Sequence, residues 1–375
     1  MAAEPVRLVE VAGADVEDLR RRVAGTRWSP DWPTAGWSAG TDPVELRRLA
    51  EYWADGFDWW AAQRSLDELP AFGAEVQGTT IRYLRFDAES PGAVGLVLTN
   101  GWPSTALELV ELARRLARPS DFGCARDAFN VIVPALPGFP FSPQRPSHHE
   151  QTHEVWHALM TDVLGFERYG AHGGDLGAGI TSRLGQEHPE SVIGIHLMAV
   201  ASPREYDASR LIVDEQAYLD SAAAWNAAEG SYQHQQQTRP LSLAPGLSDS
   251  PIGLLAWIVE KYRAWSDCGG VLSNRFSDDF VLTQASLYWF TNSISTSLRP
   301  YWEHANGLTT PVTRVAVPTA VAVFPHDLAQ PPRSWAERIY NVTRYTVMPR
   351  GGHFAPHEEP DLLAADIAEF FTSLR

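Results

Sequence analysis

The sequence predicts an α/β fold in which a largely parallel sheet carries helices on both faces. From residue 94 onward, short apolar runs alternate with stretches of helical periodicity, as in strands joined by crossover helices. A glycine-flanked segment at 173–177 has the spacing of a tight turn from a strand into a helix. At 201–306 the alternation stops, and a helical, aromatic-rich interval precedes the last two strands.

The first 72 residues are predicted to form a helical extension that packs on the rest of the chain. Within 14–27, Val16, Leu19 and Val23 recur at helical spacing. A second helix follows Thr41 or Asp42, either of which is a suitable N-cap. The extension, residues 1–72, includes a third helix at 59–69.

Residues 73–200 and 307–375 are predicted to form the α/β core. A hairpin around Gly78 opens the first segment. In chain order, strands are expected at 94–99, 131–135, 168–171 and 192–198, and helices at 106–116, 153–163 and 177–187. The second segment is expected to hold strands at 319–324 and 344–348, and helices at 333–340 and 362–374.

Residues 201–306 are predicted to be a helical lid, because α/β folds build their pockets at the carboxyl ends of strands. Helical patterns are clearest at 251–265 and 278–291. Four tryptophans of this region are expected to line an apolar pocket, although core packing explains tryptophans as well: Trp225, Trp257, Trp289 and Trp302.

Composition narrows the partners and the compartment. The 375-residue chain is 44% apolar, so a large core is expected, and its net charge of −16 disfavours nucleic acid and anionic membranes. Only Cys124 and Cys268 are present, which favours a reducing cytoplasm over a disulfide framework. No signal peptide and no membrane span is predicted.

The segment Gly173-Gly-Asp-Leu-Gly177 has the G-x-nucleophile-x-G spacing of a nucleophile elbow, with Asp175 where serine is usual. In such folds an acid and then a histidine follow along the chain. Asp327 and His353 occupy that order after the last two predicted strands. Each residue also has an ordinary explanation, namely a helix cap, a loop carboxylate and a loop histidine.

An aspartate nucleophile determines the type of reaction. A carboxylate is ionised at neutral pH and attacks an sp³ carbon without a base, which gives an alkyl ester of Asp175. His353 is then available to activate water, with Asp327 orienting its ring. The backbone N–H groups of Leu176 and Trp102 are the expected oxyanion hole.

The chain resembles the microsomal-type epoxide hydrolases, including their bacterial relatives, over nearly its whole length. Seven segments carry the resemblance: Thr26-Arg-Trp28, Gly36–Thr41, Tyr52–Trp59, Leu136–Ser142, Ser250–Lys261, Ala264–Cys268 and Gly351-Gly-His-Phe354. The resemblance implies an α/β-hydrolase fold with Asp175, Asp327 and His353 as a catalytic triad. It also implies that Tyr232 and Tyr301 protonate the leaving oxygen of the epoxide.

Three departures from the family pattern involve four residues. The family's His-Gly-x-Pro loop begins here with Asn100, and its Gly-Ser after the proline is Ser104-Thr105. Its tryptophan after the nucleophile is Leu176. Because Trp102 and Leu176 donate through the backbone, catalysis is expected to survive, whereas the shape of the pocket is expected to change.

The predicted activity is therefore hydrolysis of an epoxide to a vicinal diol, with no metal and no organic cofactor. The predicted partners are a small hydrophobic epoxide and water, and a homodimer is left open. An epoxide-opening cyclase, in which a substrate hydroxyl replaces water, remains an alternative. A haloalkane dehalogenase ranks lower, since Leu176 offers no side-chain donor to a halide, and intact catalytic residues argue against a retired, non-enzymatic hydrolase.

Overall fold

A computed structural model describes residues 4–34, 36–146 and 151–374 of the chain. The predicted extension begins at Met1 and the second core segment ends at Arg375, so both of these termini lie outside the described residues. Within the described ranges, no helix combines the length and the apolar character needed to cross a membrane.

One nine-stranded sheet runs through the described residues. Its strands are β1 (Glu4–Pro5), β2 (Ala71–Val76), β3 (Thr79–Phe86), β4 (Gly95–Thr99), β5 (Asn130–Pro134), β6 (Tyr169–Gly173), β7 (Val192–Leu197), β8 (Val315–Val323) and β9 (Tyr340–Val347). The spatial order is β1-β2-β3-β5-β4-β6-β7-β8-β9, with antiparallel pairing from β1 to β5 and parallel pairing from β5 to β9. The α/β-hydrolase fold predicted from the sequence is confirmed, and its parallel half carries the site.

Helices surround and cover this sheet. In the first part of the chain they are α1 (Gly13–Ala24), α2 (Pro43–Glu51), α3 (Trp59–Asp67), α4 (Val110–Ala117), α5 (Thr152–Ala158) and α6 (Leu176–Glu187). Between β7 and β8 lie α7 (Val213–Glu229), α8 (Ser231–Thr238), α9 (Pro240–Asp249), α10 (Pro251–Ala264), α11 (Asp278–Phe290), α12 (Ile294–Ser297) and α13 (Arg299–Ala305). The last three are α14 (Arg333–Ala336), α15 (Ala355–Glu358) and α16 (Pro360–Thr372).

Three predicted boundaries near the carboxyl terminus are wrong, among them that of β9, which begins at Tyr340 and not at residue 344. β8 begins at Val315 and not at residue 319, because Pro318 lies at a shift in register and interrupts the strand pattern that the sequence displays. The helix expected at 333–340 ends at Ala336, since the chain returns to the sheet at Tyr340, opposite Val315. The predicted helix at 153–163 is α5 followed by a wider π-helical turn at Leu159–Val163.

The amino-terminal extension contacts the interval between β7 and β8. Trp53 Nε1 donates a hydrogen bond of 3.0 Å to Ser286 Oγ, and both residues are buried. Arg48 forms an ion pair of 2.6 Å with Asp278, and Thr41 Oγ1 donates to the carbonyl oxygen of Ala256. These contacts agree with an extension that packs on the lid, while the division of the chain into four segments stays a prediction.

Candidate active site

Asp175 lies at the apex of the turn between β6 and α6, at φ 49° and ψ −125°. A non-glycine residue at such a positive φ costs on the order of 1–3 kcal/mol, which the surrounding packing must offset. Close approach explains the flanking glycines. A Cβ on Gly177 would lie 2.1 Å from the Thr99 carbonyl oxygen, and one on Gly173 would lie 2.3 Å from the Gly177 oxygen. The turn therefore holds the Asp175 carboxylate at the carboxyl end of the sheet.

The loop after β4 provides a backbone donor to this carboxylate. Trp102 N–H donates a hydrogen bond of 3.0 Å to Asp175 Oδ1. β4 and β6 are neighbours in register, with Thr99 opposite Gly173, so the loop and the turn leave the sheet side by side. The approach is tight enough that a Cβ on Gly101 would lie 2.3 Å from Asp175 Oδ1.

Leu176, the second predicted donor, is the first residue of α6. The N–H groups of a first helical turn have no acceptor within the helix, and the helix dipole places partial positive charge there. Its position directly after Asp175 therefore suits stabilisation of negative charge on the carboxylate group.

Asp327 and His353 meet because their strands are neighbours. A parallel bridge between His326 and Gly352 joins the loops after β8 and β9. These two residues directly precede Asp327 and His353. His353 Nδ1 lies 2.6 Å from Asp327 Oδ1, and His353 Nε2 lies 3.7 Å from Asp175 Oδ2. The imidazole therefore stands between the two carboxylates, with one ring nitrogen toward each.

Charge and burial oppose each other at His353. Burial by itself lowers the pKa of this imidazole, but the charge and hydrogen bond of Asp327 and the charge of Asp175 outweigh it and raise the pKa to about 9. Trp265 holds the backbone of His353 from the lid side, because the Trp265 carbonyl oxygen accepts a hydrogen bond of 2.8 Å from the His353 backbone N–H.

Tyr232 in α8 and Tyr301 in α13 are both buried beside the Trp102 ring. Tyr232 stacks on Trp102 with ring centroids 5.6 Å apart, and Tyr301 meets it edge-on at 6.1 Å. Burial, followed by the negative charge of Asp175, raises the pKa of both phenols well above the ordinary value. Both phenols therefore remain protonated donors near Asp175.

A cavity of about 200 Å³ opens onto Asp175 from the side of α6 and α13. Apolar atoms make up most of its exposed surface, and apolar side chains make up half of its lining residues: Leu136, Pro137, Phe139, Leu176, Ile180 and Pro300. Thr152, Arg183, His304 and Thr309 contribute polar groups. A mostly apolar cleft with few polar groups at a reactive residue is typical of a site for a hydrophobic small molecule.

Comparison with known proteins places this geometry in a family. Residues 4–109 match the family described as Epoxide hydrolase N terminus, and residues 96–366 match the Alpha/beta hydrolase family. A Stigmatella aurantiaca protein with a provisional epoxide hydrolase designation is 36% identical over 98% of this chain and 84% of its own length. The chain belongs to the epoxide hydrolase family.

Further relatives agree with this membership. Epoxide hydrolase 1 of Oryctolagus cuniculus is 29% identical over 96% of this chain and 87% of its own length. The solved structure of Aspergillus niger epoxide hydrolase superposes with a TM-score of 0.87 at 28% identity, covering 100% of this chain and 97% of that one. The resemblance to microsomal-type epoxide hydrolases seen in the sequence is confirmed.

The departures at Asn100 and Thr105 are accommodated within the loop after β4. Asn100 Nδ2 donates to the carbonyl oxygens of Gly101, at 2.9 Å, and Ser104, at 3.2 Å, and so braces the loop from inside. Thr105 Oγ1 accepts the Leu107 N–H and caps the following turn. Asn100 therefore holds the loop in the conformation that aims Trp102 N–H at Asp175.

The four lid tryptophans expected to line an apolar pocket do not line the 200 Å³ cavity beside Asp175. Among the described residues, the lining of the 200 Å³ cavity includes no tryptophan. Trp289 instead lies under the Arg22 guanidinium of α1, and Trp257 Nε1 donates to Gln236 Oε1. Nearness in sequence to the tyrosines did not predict the side of the lid that each ring faces.

One group of described residues, His157, His188 and Glu190, has ligand atoms close enough to consider a metal ion. The two imidazole rings stack with centroids 3.7 Å apart and planes 5° from parallel. Lone pairs of stacked rings lie in separate planes and do not converge on one ion. His157 Nδ1 also lies 3.1 Å from the Tyr169 hydroxyl, so the group fits ring stacking and hydrogen bonding better than metal binding.

One buried charged residue at the site, Glu108, was not predicted from the sequence. Glu108 is buried in the first turn after the Trp102 loop, and burial raises the pKa of its carboxyl to about 7. A glutamate between Leu107 and Leu109, on the inner face of an apolar helix, was the available signal.

Proposed function

We propose that this protein hydrolyses a hydrophobic epoxide to a vicinal diol through a covalent ester of Asp175. The observation that carries the proposal is the position of His353 between Asp327 at 2.6 Å and Asp175 at 3.7 Å. Trp102 N–H holds Asp175 Oδ1, which leaves Oδ2 as the oxygen that attacks. The identity of the relatives supports the same reaction.

In the first half-reaction, Oδ2 of Asp175 forms a bond to an epoxide carbon while that carbon's bond to the ring oxygen breaks. Tyr301 or Tyr232 gives its proton to the leaving oxygen, because an alkoxide leaves poorly without one. Ester formation removes the negative charge of Asp175, which is one of the causes of the raised tyrosine pKa values. The proton donor therefore becomes more acidic as the bond forms.

In the second half-reaction, His353 takes a proton from water and the resulting hydroxide attacks Cγ of Asp175. Negative charge develops on Oδ1, where the backbone N–H groups of Trp102 and Leu176 stabilise it. The bond from Cγ to Oδ2 then breaks, and the alcohol oxygen takes the proton from His353. The remaining acid proton returns to the tyrosinate, which restores the resting enzyme and releases a diol.

Loss of the Asp175 charge also prepares the histidine for its role. In the free protein that charge helps to raise the pKa of His353 to about 9, so the imidazole is protonated at neutral pH. Esterification removes this contribution, and the pKa falls toward the range in which neutral imidazole acts as a base. The ester therefore generates the protonation state that its own hydrolysis requires.

Neither alternative reaction is favoured. A dehalogenase needs side-chain donors to a halide, and Leu176, next to the nucleophile, supplies none. A cyclase needs a substrate hydroxyl in place of water, and the named relatives above are epoxide hydrolases.

One turnover in ¹⁸O-labelled water tests the proposal. With enzyme in excess over epoxide, the diol takes its new oxygen from Asp175, and the label appears in the Asp175 carboxylate. Peptide mass spectrometry locates that label, and the Asp175→Asn variant provides the control. A labelled diol with an unlabelled Asp175 after one turnover would contradict the covalent mechanism.

We also propose a cytoplasmic location, supported by two free cysteines, of which Cys268 is buried. Thiols persist in a reducing compartment. Cell fractionation tests this proposal, and recovery of the activity outside the cytosolic fraction would contradict it.

A further inference from the structure

A second, smaller cavity also borders Asp175. Its volume is about 20 Å³, and its lining includes Asn100, Glu108, His172, Asp175 and His353. A cavity needs roughly 10–15 Å³ to hold one water molecule, so this one accommodates a single water. It therefore places a water-sized space beside both Asp175 and His353.

Three polar atoms in its lining residues are buried and have no hydrogen-bond partner among the described residues. These atoms are Asn100 Oδ1, Glu108 Oε2 and His172 Nε2. Leaving one buried polar atom unpaired costs about 1–3 kcal/mol. Residues carrying three such atoms converge on one small cavity, which indicates a built site for a polar occupant and not a packing defect.

The orientation of Asn100 makes its free atom an acceptor. Its amide nitrogen is 2.9 Å from the Gly101 oxygen and 3.2 Å from the Ser104 oxygen. Both of those atoms accept hydrogen bonds, so the side-chain NH₂ must face them. The Asn100 carbonyl oxygen is consequently the atom left without a partner.

A buried chain of contacts makes His172 an acceptor as well. Asp366 lies 2.6 Å from Arg344, and its Oδ2 lies 2.9 Å from His196 Nε2. In the neutral tautomer of His196 that donates Nε2–H to the ionised carboxylate, Nδ1 is an acceptor and lies 3.0 Å from His172 Nδ1. His172 therefore carries its proton on Nδ1 and has a lone pair on Nε2.

When Glu108 is ionised, all three of these atoms are hydrogen-bond acceptors, and such a set requires an occupant that donates. Water offers two O–H donors in a volume that this cavity accommodates. Such a water can donate one hydrogen to His353 and the other to one of these three acceptors. A lone pair of its oxygen then faces Asp175, which lines the other side of the cavity. That is the orientation needed for attack on Cγ of the ester.

We propose that this cavity holds the hydrolytic water and that Glu108 is the residue that orients it. The inference rests on the proposed function and assigns Glu108 to its second half-reaction. One water hydrogen passes to His353 Nε2 as the oxygen bonds to Asp175 Cγ, and the other remains hydrogen-bonded to Glu108 Oε2. Asn100 and His172 supply further acceptors that hold the water before the ester forms.

The Glu108→Gln variant tests this role, with ester formation and ester hydrolysis measured separately by rapid quench and intact-mass analysis. Glutamine keeps the volume but places an NH₂ donor among acceptors, so it competes with the water. Ester formation is expected at the wild-type rate, and hydrolysis is expected to slow by about ten- to a hundredfold, as for a misplaced reactant. Glu108→Asp keeps the charge but withdraws it by one methylene, and a smaller loss in the same step is expected.

Glu358→Gln is the matched control. Glu358 is also a buried carboxyl near His353 whose pKa burial raises to about 7, but it accepts the backbone N–H groups of Asp267 and Phe354 and does not line the cavity. Equal slowing of hydrolysis by both glutamine variants would show a general charge effect on His353 and overturn the inference. Wild-type hydrolysis in both Glu108 variants would also overturn it.

A crystal structure of the free wild-type enzyme provides an independent measurement. One water within hydrogen-bond distance of Glu108 Oε2 is expected, and an empty cavity would overturn the inference. Failure of the proposed function has a different signature. In that case no ester of Asp175 forms in any variant, including His353→Gln, whereas failure of the inference leaves ester formation intact.

Discussion

His353 Nδ1 lies 2.6 Å from Asp327 Oδ1, and this contact determines how the imidazole can act. Because the carboxylate accepts the Nδ1 proton, Nε2 is the nitrogen that exchanges a proton with water. That nitrogen faces Asp175 Oδ2 at 3.7 Å, a separation too long for a direct hydrogen bond. The histidine is therefore set to act on a molecule placed next to Asp175 and not on Asp175 itself.

We expect His353→Gln to form one ester and then stall. The Asp175 carboxylate needs no base, so the first half-reaction persists, while water without a base attacks the ester slowly. Steady-state turnover should fall by about a hundred- to ten-thousandfold, the range for removal of a general base. Intact-mass spectrometry should show protein plus one substrate mass.

Two variants control that experiment. Asp175→Asn in the same background should abolish the adduct, and Asp327→Asn should slow hydrolysis less than His353→Gln, because it disturbs the ring without deleting the base. Full turnover with no adduct in His353→Gln would make His353 a structural residue.

Ester hydrolysis should accelerate with rising pH. Neutral imidazole is the base, so the rate follows the fraction of His353 that has lost its proton. The midpoint should lie below about 9, the value in the free protein, because the ester lacks the Asp175 charge that helps to raise the pKa. Asp327→Asn should lower the midpoint further. Single-turnover decay of the ester between pH 5 and about 10 measures it, and a rate that falls with pH would contradict the assignment.

The tyrosines should act in the opposite half of the cycle. The Tyr301 hydroxyl is buried beside Tyr232 and lies close enough to Asp175 for the charge of that carboxylate to raise its pKa, so it is placed to reach the epoxide oxygen. In a His353→Gln background, Tyr301→Phe should slow ester formation by about ten- to a hundredfold, as expected on loss of a proton donor. The double change with Tyr232→Phe should slow it further. In the native background, unchanged ester formation with slower hydrolysis would refute this role.

Gly101→Ala should displace the Asp175 carboxylate while the fold stays intact. The added Cβ would lie 2.3 Å from both Cβ and Oδ1 of Asp175, so the carboxylate must move from the Trp102 N–H. Ester formation should fall by about a hundredfold, the loss typical of a misplaced reacting group. Gly174→Ala, whose Cβ would meet nothing nearer than 3.5 Å, should retain the rate. Equal rates in the two variants would show that the Asp175 position is not critical.

Local sequence patterns predicted the reactive residues of this site better than the residues that line its cavity. Asp175, Asp327 and His353 follow strand ends in a fixed order, and strand ends of a parallel sheet share one edge, so sequence order implied their convergence. The prediction of Tyr232 and Tyr301 depended on the family resemblance. The helices that carry them, α8 and α13, reach the site from the lid, and no spacing along the chain indicates that approach.

The errors have physical causes of the same kind. The tryptophans were misplaced because a lid helix has several buried faces, and periodicity does not say which neighbour each face meets. Glu108 was missed because a single glutamate in a helical pattern is usually solvated, whereas here the helix lies beneath the catalytic loop.

Leu176 should determine how large an epoxide the site accepts. It follows the nucleophile directly, lines the 200 Å³ cavity, and replaces the tryptophan of the family pattern with a smaller side chain. Leu176→Trp adds a large ring to a cavity only a few times the volume of that ring. The backbone N–H that serves the oxyanion is unchanged, so the chemistry of Asp175 should persist.

We therefore expect Leu176→Trp to reduce kcat/KM for a bulky aryl epoxide by about ten- to a hundredfold, the range for losing a few apolar contacts and adding a clash. The value for a small alkyl epoxide should change little. The ratio of the two constants is the measurement, because damage to the oxyanion hole would lower both equally. Thr309→Val, at another position in the cavity lining, keeps the volume and should leave the ratio unchanged. Equal losses for both substrates in Leu176→Trp would place Leu176 in the catalytic machinery and not in the selection of substrate size.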